Sequence, residues 1–416
     1  MSVPNLRFKQ FTSNWEKKQL GGLITYTKGF AFKSDSYKLS GTRIVRVSDL
    51  TSSSIKQDNE MIFIDSSEVE KYETYKINFG DIVITTVGSK PELVESAVGR
   101  GILITHENEG FLNQNLLKIN QTPKLKSGFL FRQINSERYI NHIKNIQRGN
   151  ANQSNITVKD LLEFEIYITE LPEQTKIANF LTAVDEKIQL LTQKADLLAQ
   201  YKKGLMQQIF SQELRFKDDD GGEFPEWQEK KLGDIAEKIT AGATPSTLVK
   251  EYWQGEIRWM NSGELNLKRV YEVENRITKL GLTKSSTKLI PPKSILIGLA
   301  GQGKTRGTVA MNMVELCTNQ SIAAIQPNHD VFDSEFLYQN LDSRYDELRG
   351  LSTGDGGRGG LNLQIIKSMN LSLPSLKEQT KIAKFLTAID DKLTHTQTQL
   401  AAVKQYKQGL LQQMFV

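Results

Sequence analysis

The stretch from Gly298 to Thr305 has the spacing of a phosphate-binding loop. Gly298, four residues, then Gly303-Lys304-Thr305 spells G-x-x-x-x-G-K-[ST], the pattern in which backbone N–H groups and a lysine cradle phosphates. That chemistry needs a helix directly after Lys-Thr, because the helix N-terminus holds the anion. Here Arg306-Gly307-Thr308-Val309 follows, a poor helix start that reads as strand. No apolar strand ending in a Mg²⁺-binding aspartate comes next, although nucleotide hydrolysis calls for one. What the loop does offer is Gln302, Lys304 and Arg306 on a hairpin. Arg and Lys pair with guanine or phosphate, and Gln with adenine.

Other candidate chemistry is sparse, and no catalytic residues are assigned. His106, His142, His329 and His395 stand singly, which argues against a His-based metal site. The single cysteine, Cys317, excludes an internal disulfide framework and suits a reducing compartment. Asp185-Glu186-Lys187 reads as the solvated face of a helix. The N-terminal residues lack the apolar core of a signal peptide, and no run of 18 apolar residues occurs. A cytoplasmic protein with no membrane partner is expected. The formal net charge of +5 fits a polyanionic partner.

The elements that must position these residues are written twice. EQTKIANFLTAVDEKI from Glu173 returns as EQTKIAKFLTAIDDKL from Glu378, and QYKKGLMQQIF from Gln200 returns as QYKQGLLQQMF from Gln405, at one constant offset. Upstream, LRFK at Leu6 recurs at Leu214, and the Trp-Lys-Leu-Gly segment from Trp15 recurs from Trp227. FLNQNLLKI around Gln114 corresponds to CTNQSIAAI around Gln320. The slot matching the opening loop reads GSKPELVESAVGRG from Gly88, with no G-K-T. A duplicated frame that lacks the phosphate signature in one half weakens the hydrolase reading further. QQIFSQELRFK joins the first helix to the second body, while QQMFV and NLRFK repeat that junction at the two chain ends. The C-terminus is therefore expected near the N-terminus, as closed two-fold pseudosymmetry requires.

Each half ends in a long amphipathic segment. Ile177, Leu181, Val184, Ile188 and Leu191 continue through Ala195, Leu198, Leu205 and Ile209 in steps of four and three, interrupted by Lys202. Ile382, Leu386, Ile389, Leu393 and Leu400 continue through Val403, Leu410 and Met414, interrupted by Thr396 and Lys407. A seam of this length predicts an antiparallel helix pair, about 57 Å long at a rise of about 1.5 Å per residue. The bodies read as short strands and exposed loops, with helical segments near Phe129 to Asn145 and Glu335 to Leu348. The fold class is mixed α/β (α+β), two tandem domains joined by two long antiparallel helices. Trp15 and Trp227 read as packing anchors.

These residues together resemble the specificity subunits of type I restriction–modification systems. The carriers are W-x-x-x-K-L-G-D-I with A-G-A-T-P-S (Trp227 to Ser246), I-R-W-M-N-S-G-E-L (Ile257 to Leu265), the Gly281 to Ile297 segment and Asn319-Gln320. L-P-x-x-x-E-Q-x-K-I-A-x-F-L before the second helix, shortened to L-P-E-Q-T-K-I-A before the first, is the strongest signature. Lys28 to Ser34 and Arg43 to Leu50 look like the family's alternative wording in the first body. The resemblance implies target-recognition domains over 1–150 and 213–357. Conserved regions carrying the spacer helices would cover 151–212 and 358–416.

By the same resemblance, each domain reads one half of an asymmetric bipartite site in double-stranded DNA, with half-sites about one helical turn apart. The paired helices would set the spacer and dock two adenine-methyltransferase subunits, to which motor–nuclease subunits add. S-adenosylmethionine, ATP and Mg²⁺ would sit on those partners; no Asn/Asp-Pro-Pro-aromatic motif occurs, since Pro291-Pro292 is followed by Lys293. Expected DNA contacts in the first body are Lys28, Phe30, Lys33, Arg43, Arg46, Lys90, Arg100 and Arg148. In the second they are Thr244, Ser246, Asn261, Ser262, Lys284, Ser285, Gln302, Lys304, Arg306 and Arg358. A phosphate-loop hydrolase and a coiled-coil scaffold without DNA readout are the alternatives.

Overall fold

A computed structural model describes residues 3–51, 53–91, 97–120, 122–149, 153–301, 303–351 and 360–415. The chain forms two compact units, Met1–Leu191 with Gln399–Val416, and Thr192–Thr398. Among the described residues no helix is long and apolar enough to cross a membrane.

The first unit is built on an antiparallel four-stranded sheet, ordered Thr25–Lys28, Leu116–Asn120, Ile82–Thr85, Gly101–Leu103. Its Ile82–Thr85 strand is buried at every position, as a near-continuous apolar run predicts for a strand covered on both faces. A smaller sheet orders Ile62–Ile64, Thr42–Val45 and Phe111–Leu112. Helices Ser127–Gln133 and Glu137–Ile146 fall in the segment read as helical, the second capped by the Ser136 hydroxyl.

The second unit repeats that order. Lys238–Ala241, Ile322–Gln326, Ile295–Gly298 and Val309–Asn312 are neighbours in sequence-equivalent positions, extended by Arg269–Val270. Trp253–Met260, Asn275–Ile277, Leu316–Thr318 and Leu289–Ile290 make the companion sheet. Helices Ser334–Ser343 and Tyr345–Gly350 complete the repeat.

The Trp-Lys-Leu-Gly motif is a strap. Glu16–Gln19 pairs antiparallel with Glu165–Ile168, the strand that leads into the first long helix, Leu171–Phe210. Gln228–Lys231 pairs likewise with Asn370–Leu373, ahead of the second, Leu376–Met414. Pro172 lies in the first turn of its helix, where its missing N–H costs nothing.

The Glu-Gln of the strongest signature sits at each helix start with essentially no exposure. Arg7 donates to both Glu173 oxygens, Nε at 2.6 Å and Nη2 at 2.7 Å. Arg215 does the same to Glu378 at 3.3 and 2.9 Å, and Trp227 Nε1 adds a third donor at 3.1 Å. Gln174 and Gln379 each donate to a carbonyl just upstream, of Thr169 and Pro374. They accept from the body, at Lys126 N and Asp333 N. The signature is thus a buried polar clamp joining LRF, body and helix, and its carboxylate sits favourably in the first helical turn.

The split junction holds. Leu214 N donates to Gln208 O at 3.0 Å, and the equivalent Leu6 N donates to Gln413 O at 2.9 Å, joining residues from the two ends of the sequence within one unit. Three rings repeat around each junction. Trp15, Phe129 and Phe415 cluster with centroids 5.5 to 6.2 Å apart, and Phe336 meets Phe210 at 5.9 Å and Trp227 at 6.1 Å. Both tryptophans act as packing anchors.

The seam is more mixed than its periodicity suggests. Ile177, Leu181 and Val184 are buried in one core with Trp15, Phe129, Leu410 and Met414. Ile382, Leu386 and Ile389 share the other with Leu205, Met206 and Ile209. Residues early in one helix therefore pack with residues late in the other, the antiparallel sense, while the same side chains also bury against a body. Ile188, Leu191, Leu393 and Leu400 are only half-buried. Thr396, expected to interrupt the seam, is itself buried, its hydroxyl donating to Lys392 O at 2.8 Å.

Candidate nucleic-acid interface

In the second unit the loop after Ile295–Gly298 returns directly as strand Val309–Asn312. Gly307 N donates to Gly298 O at 2.9 Å, closing a hairpin. No helix follows Lys304-Thr305, so no helix terminus faces a phosphate. The phosphate-loop reading is thereby corrected: Gly298 is a strand residue over which Thr305 folds, a Cβ there lying 2.2 Å from Thr305 O.

Nor is the hairpin slack. Thr308 Oγ1 donates to Lys304 O at 2.6 Å, and Tyr345 OH donates to the same carbonyl at 3.1 Å. Arg349 Nη1 donates to Gly303 O at 2.6 Å. Lys304 is exposed and Arg306 half-buried. The loop is fixed by its backbone and presents a lysine outward, which suits contact with phosphate or a base edge. Gln302 and Arg358 lie outside the described residues.

A second patch forms where three motifs meet. Thr244 Oγ1 bonds Gln320 Oε1 at 2.6 Å, bringing A-G-A-T-P-S onto Asn319-Gln320. Trp259 Nε1 donates to Ala243 O at 3.0 Å and Trp253 Nε1 to Ser246 O at 3.1 Å, the two indoles standing edge to face at 5.0 Å. Thr244 and Ser246 are exposed on this scaffold, as is Gln320. Lys284 is exposed, whereas Ser285 is half-buried and spends its hydroxyl on Gly281 O at 2.6 Å.

In the first unit Lys28, Lys33 and Lys90 are exposed and Arg100 half-buried. Arg148 is exposed but paired with Asp160 at 2.8 Å. Phe30 belongs to an aromatic nest, 5.0 Å from Phe32, 5.1 Å from Tyr72 and 5.2 Å from Tyr75. Phe30 is half-buried at the edge of this nest.

Three expected contacts are engaged within the fold. Arg43 is buried, with Nη2 donating to Lys56 O at 2.7 Å and Nη1 to Gln57 Oε1 at 3.3 Å. Arg46 ties Asp49 and donates to Glu60 O at 2.6 Å, bracing the same loop. Asn261 caps the turn Ser262–Leu267, accepting from Gly263 N at 2.8 Å while Glu264 accepts from Asn261 N at 2.8 Å. Ser262, half-buried, opens that turn. Arg43 is held inside the fold, whereas Arg46 and Asn261, both half-buried, commit only part of their bonding capacity there.

A family model for the type I restriction modification DNA specificity domain matches the chain twice, over residues 12–200 and 225–405. The chain belongs to this family. It is 25% identical, over 92% of its length and 88% of the relative's, to the putative type I restriction enzyme MjaX specificity subunit of Methanocaldococcus jannaschii. It is 30% identical over 40% of its length, and 41% of the relative's, to the EcoR124I/EcoR124II specificity subunit of Escherichia coli. The crystal structure of a type I restriction–modification S subunit from M. genitalium superposes with a TM-score of 0.64 at 17% identity, covering 100% of this chain and 99% of that one. A chain from a study of complex assembly and conformational transition of the type I system gives 0.54 at 17% identity, covering 96% and 97%. These likenesses show a shared fold.

In this specificity subunit three residues that bond to the candidate loops are absent from the expected contacts: Gln320, Tyr345 and Arg349. Gln320 was flagged by its repeat with Gln114. Nothing in the sequence marks Tyr345 or Arg349, whose role depends on a loop that lies far off in sequence.

Proposed function

We propose that the two bodies each read one half of an asymmetric bipartite DNA site, and that the long helices set the spacing and dock two adenine-methyltransferase subunits. Motor–nuclease subunits add to that assembly, and S-adenosylmethionine, ATP and Mg²⁺ belong to the partners. The observation carrying this reading is the unequal divergence of the two halves. Clamp, strap and junction recur at equivalent positions in both halves, whereas the loops on the repeated sheets differ in length, charge and support. Two unlike readers on one common frame specify two unlike sequences.

The helix surfaces support the docking. Exposed residues drift freely after a duplication unless something touches them. Gln200, Tyr201, Gln207 and Gln208 are exposed and recur as exposed Gln405, Tyr406, Gln412 and Gln413. Gly204 and Gly409 recur in the last two turns of Leu171–Phe210 and Leu376–Met414, and an added Cβ at either would meet nothing within 4 Å. Glycine there costs about 1 kcal/mol relative to alanine, so its presence twice fits close approach by an outside partner, once per helix.

The test is reconstitution with the cognate methyltransferase subunit, followed by native mass spectrometry and mobility-shift assays. Two methyltransferase copies per chain and sequence-dependent retention of duplex DNA are expected. A complex that assembles but retains all duplexes equally would leave a scaffold instead.

A further inference from the structure

The hairpin that presents Lys304 is held by a device that occurs twice. On helix Tyr345–Gly350, Tyr345 OH donates to Lys304 O at 3.1 Å, and Arg349, one turn on, donates to Gly303 O at 2.6 Å and to Tyr345 OH at 2.8 Å. Gly307 closes the contact with φ +81°; a Cβ there would lie 3.1 Å from Arg349 N and 3.3 Å from Tyr345 O. On helix Glu137–Ile146 of the first unit, Tyr139 OH donates to Gly99 O at 2.7 Å. Gly99 has φ +77°, and a Cβ there would lie 2.7 Å from the Ile143 side chain, again one turn after the tyrosine. A tyrosine, the residue four positions later and a left-handed loop glycine thus recur at the same place on both sheets.

The two copies differ in one informative way. Tyr139 and Ile143 are fully buried, so that copy is part of a core. Tyr345 and Arg349 are half-exposed, and so is Thr305. Water could satisfy the carbonyls of Gly303 and Lys304 there, so their bonds to Tyr345 and Arg349 chiefly fix shape. A loop ordered before binding avoids the entropy cost of ordering it on contact.

We propose that Tyr345 and Arg349 are positioning residues for DNA readout, holding Gly303–Thr308 in the one conformation from which Lys304 meets its half-site. This rests on the reading of the chain as a DNA-recognition subunit. Neither residue needs to touch DNA itself.

The experiment uses the full chain assembled with its methyltransferase subunits, and duplexes carrying the methylation-mapped target or single-base changes in either half-site. Tyr345→Phe, Arg349→Met and the double variant are compared with Lys304→Ala, with thermal unfolding measured in parallel. The double variant should weaken target binding about tenfold and relax discrimination in one half-site only, for ordering costs of this kind. Its dependence on salt should match the unaltered protein, whereas Lys304→Ala should lower the log–log salt slope by about one. Unchanged affinity and discrimination in the double variant would overturn the proposal. Equal losses at both half-sites would also overturn it, as general damage to the fold, and so would a reduced salt slope for Arg349→Met, which would make Arg349 a phosphate contact. If the unaltered complex itself discriminates no sequence, the DNA-recognition reading fails and the proposal with it; with that discrimination intact, only the proposal is at stake.

Discussion

Lys407 Nζ lies 2.6 Å from Asp185 Oδ1 in the first unit, and Lys202 Nζ lies 2.6 Å from Asp390 Oδ1 in the second. The lysines are repeat equivalents, and so are the aspartates. One bridge is therefore the other with the helices exchanged. The two lysines that interrupt the apolar stripes are not flaws in the seam but its polar register marks, a use of charge well suited to fixing helix alignment. The aspartate expected on a solvated face is instead a half-buried junction, since Arg132 Nη1 also reaches Asp185 at 2.6 Å.

Unequal costs follow from that junction. Lys407→Ala removes a partly exposed pair and should cost about 0.5–1 kcal/mol. Asp185→Ala should cost more, on the order of 3 kcal/mol, because it also strands the buried Arg132 guanidinium. Urea unfolding monitored by circular dichroism checks the ranking; equal costs would deny Arg132 its dependence on Asp185.

The buried clamp should be among the least tolerant sites. Glu378→Ala removes the shared acceptor of Arg215 and Trp227 Nε1; because half-buried Arg215 keeps its bonds to Phe224 O and Pro225 O, a loss of about 1–2 kcal/mol is expected. Scanning calorimetry would show it as a lowered unfolding temperature. A variant as stable as the parent would mean that the signature is kept for contacts outside the chain.

Much of this was legible in the sequence because duplication supplied an internal comparison. The repeat placed both long helices and the junction split between the chain ends without any structure, whereas the pairing of the Trp-Lys-Leu-Gly strand with the strand before each helix emerges only from the fold. Site residues were harder for a definite reason. Side-chain type says what Arg43 or Asn261 can bond, but not that Lys56 O or Gly263 N has already claimed the donor or acceptor. Periodicity likewise showed which helix positions are apolar, yet not that Ile177 and Leu181 serve a body as well as a helix.

Gly204→Ala and Gly409→Ala should each stabilise the isolated chain by up to about 1 kcal/mol, since a helical glycine with open space gains from a methyl group. Replacement by leucine should keep the fold and reduce methyltransferase stoichiometry, from two copies to one for each single variant. Native mass spectrometry reads this directly. Two bound copies in the double leucine variant would move docking elsewhere.

Cys317 offers a probe of the second body. It has no exposure, and burial, only partly opposed by a Thr287 hydrogen bond, pushes its thiol up to about 11. Because the thiolate is the reactive form, alkylation at pH 8 should be negligible in the native protein and rapid in denaturant. Intact-mass analysis after iodoacetamide treatment gives the answer, and rapid native labelling would contradict the packing of strand Leu316–Thr318.

The most direct test is single-molecule sequencing of methylated adenines in cells carrying this chain with its partners, compared with cells carrying Lys304→Ala and Arg306→Ala together. Two unlike half-sites at a fixed spacing are predicted, with the double variant relaxing one half and leaving the other and the spacing intact. A continuous motif, or a change in both halves at once, would contradict the account.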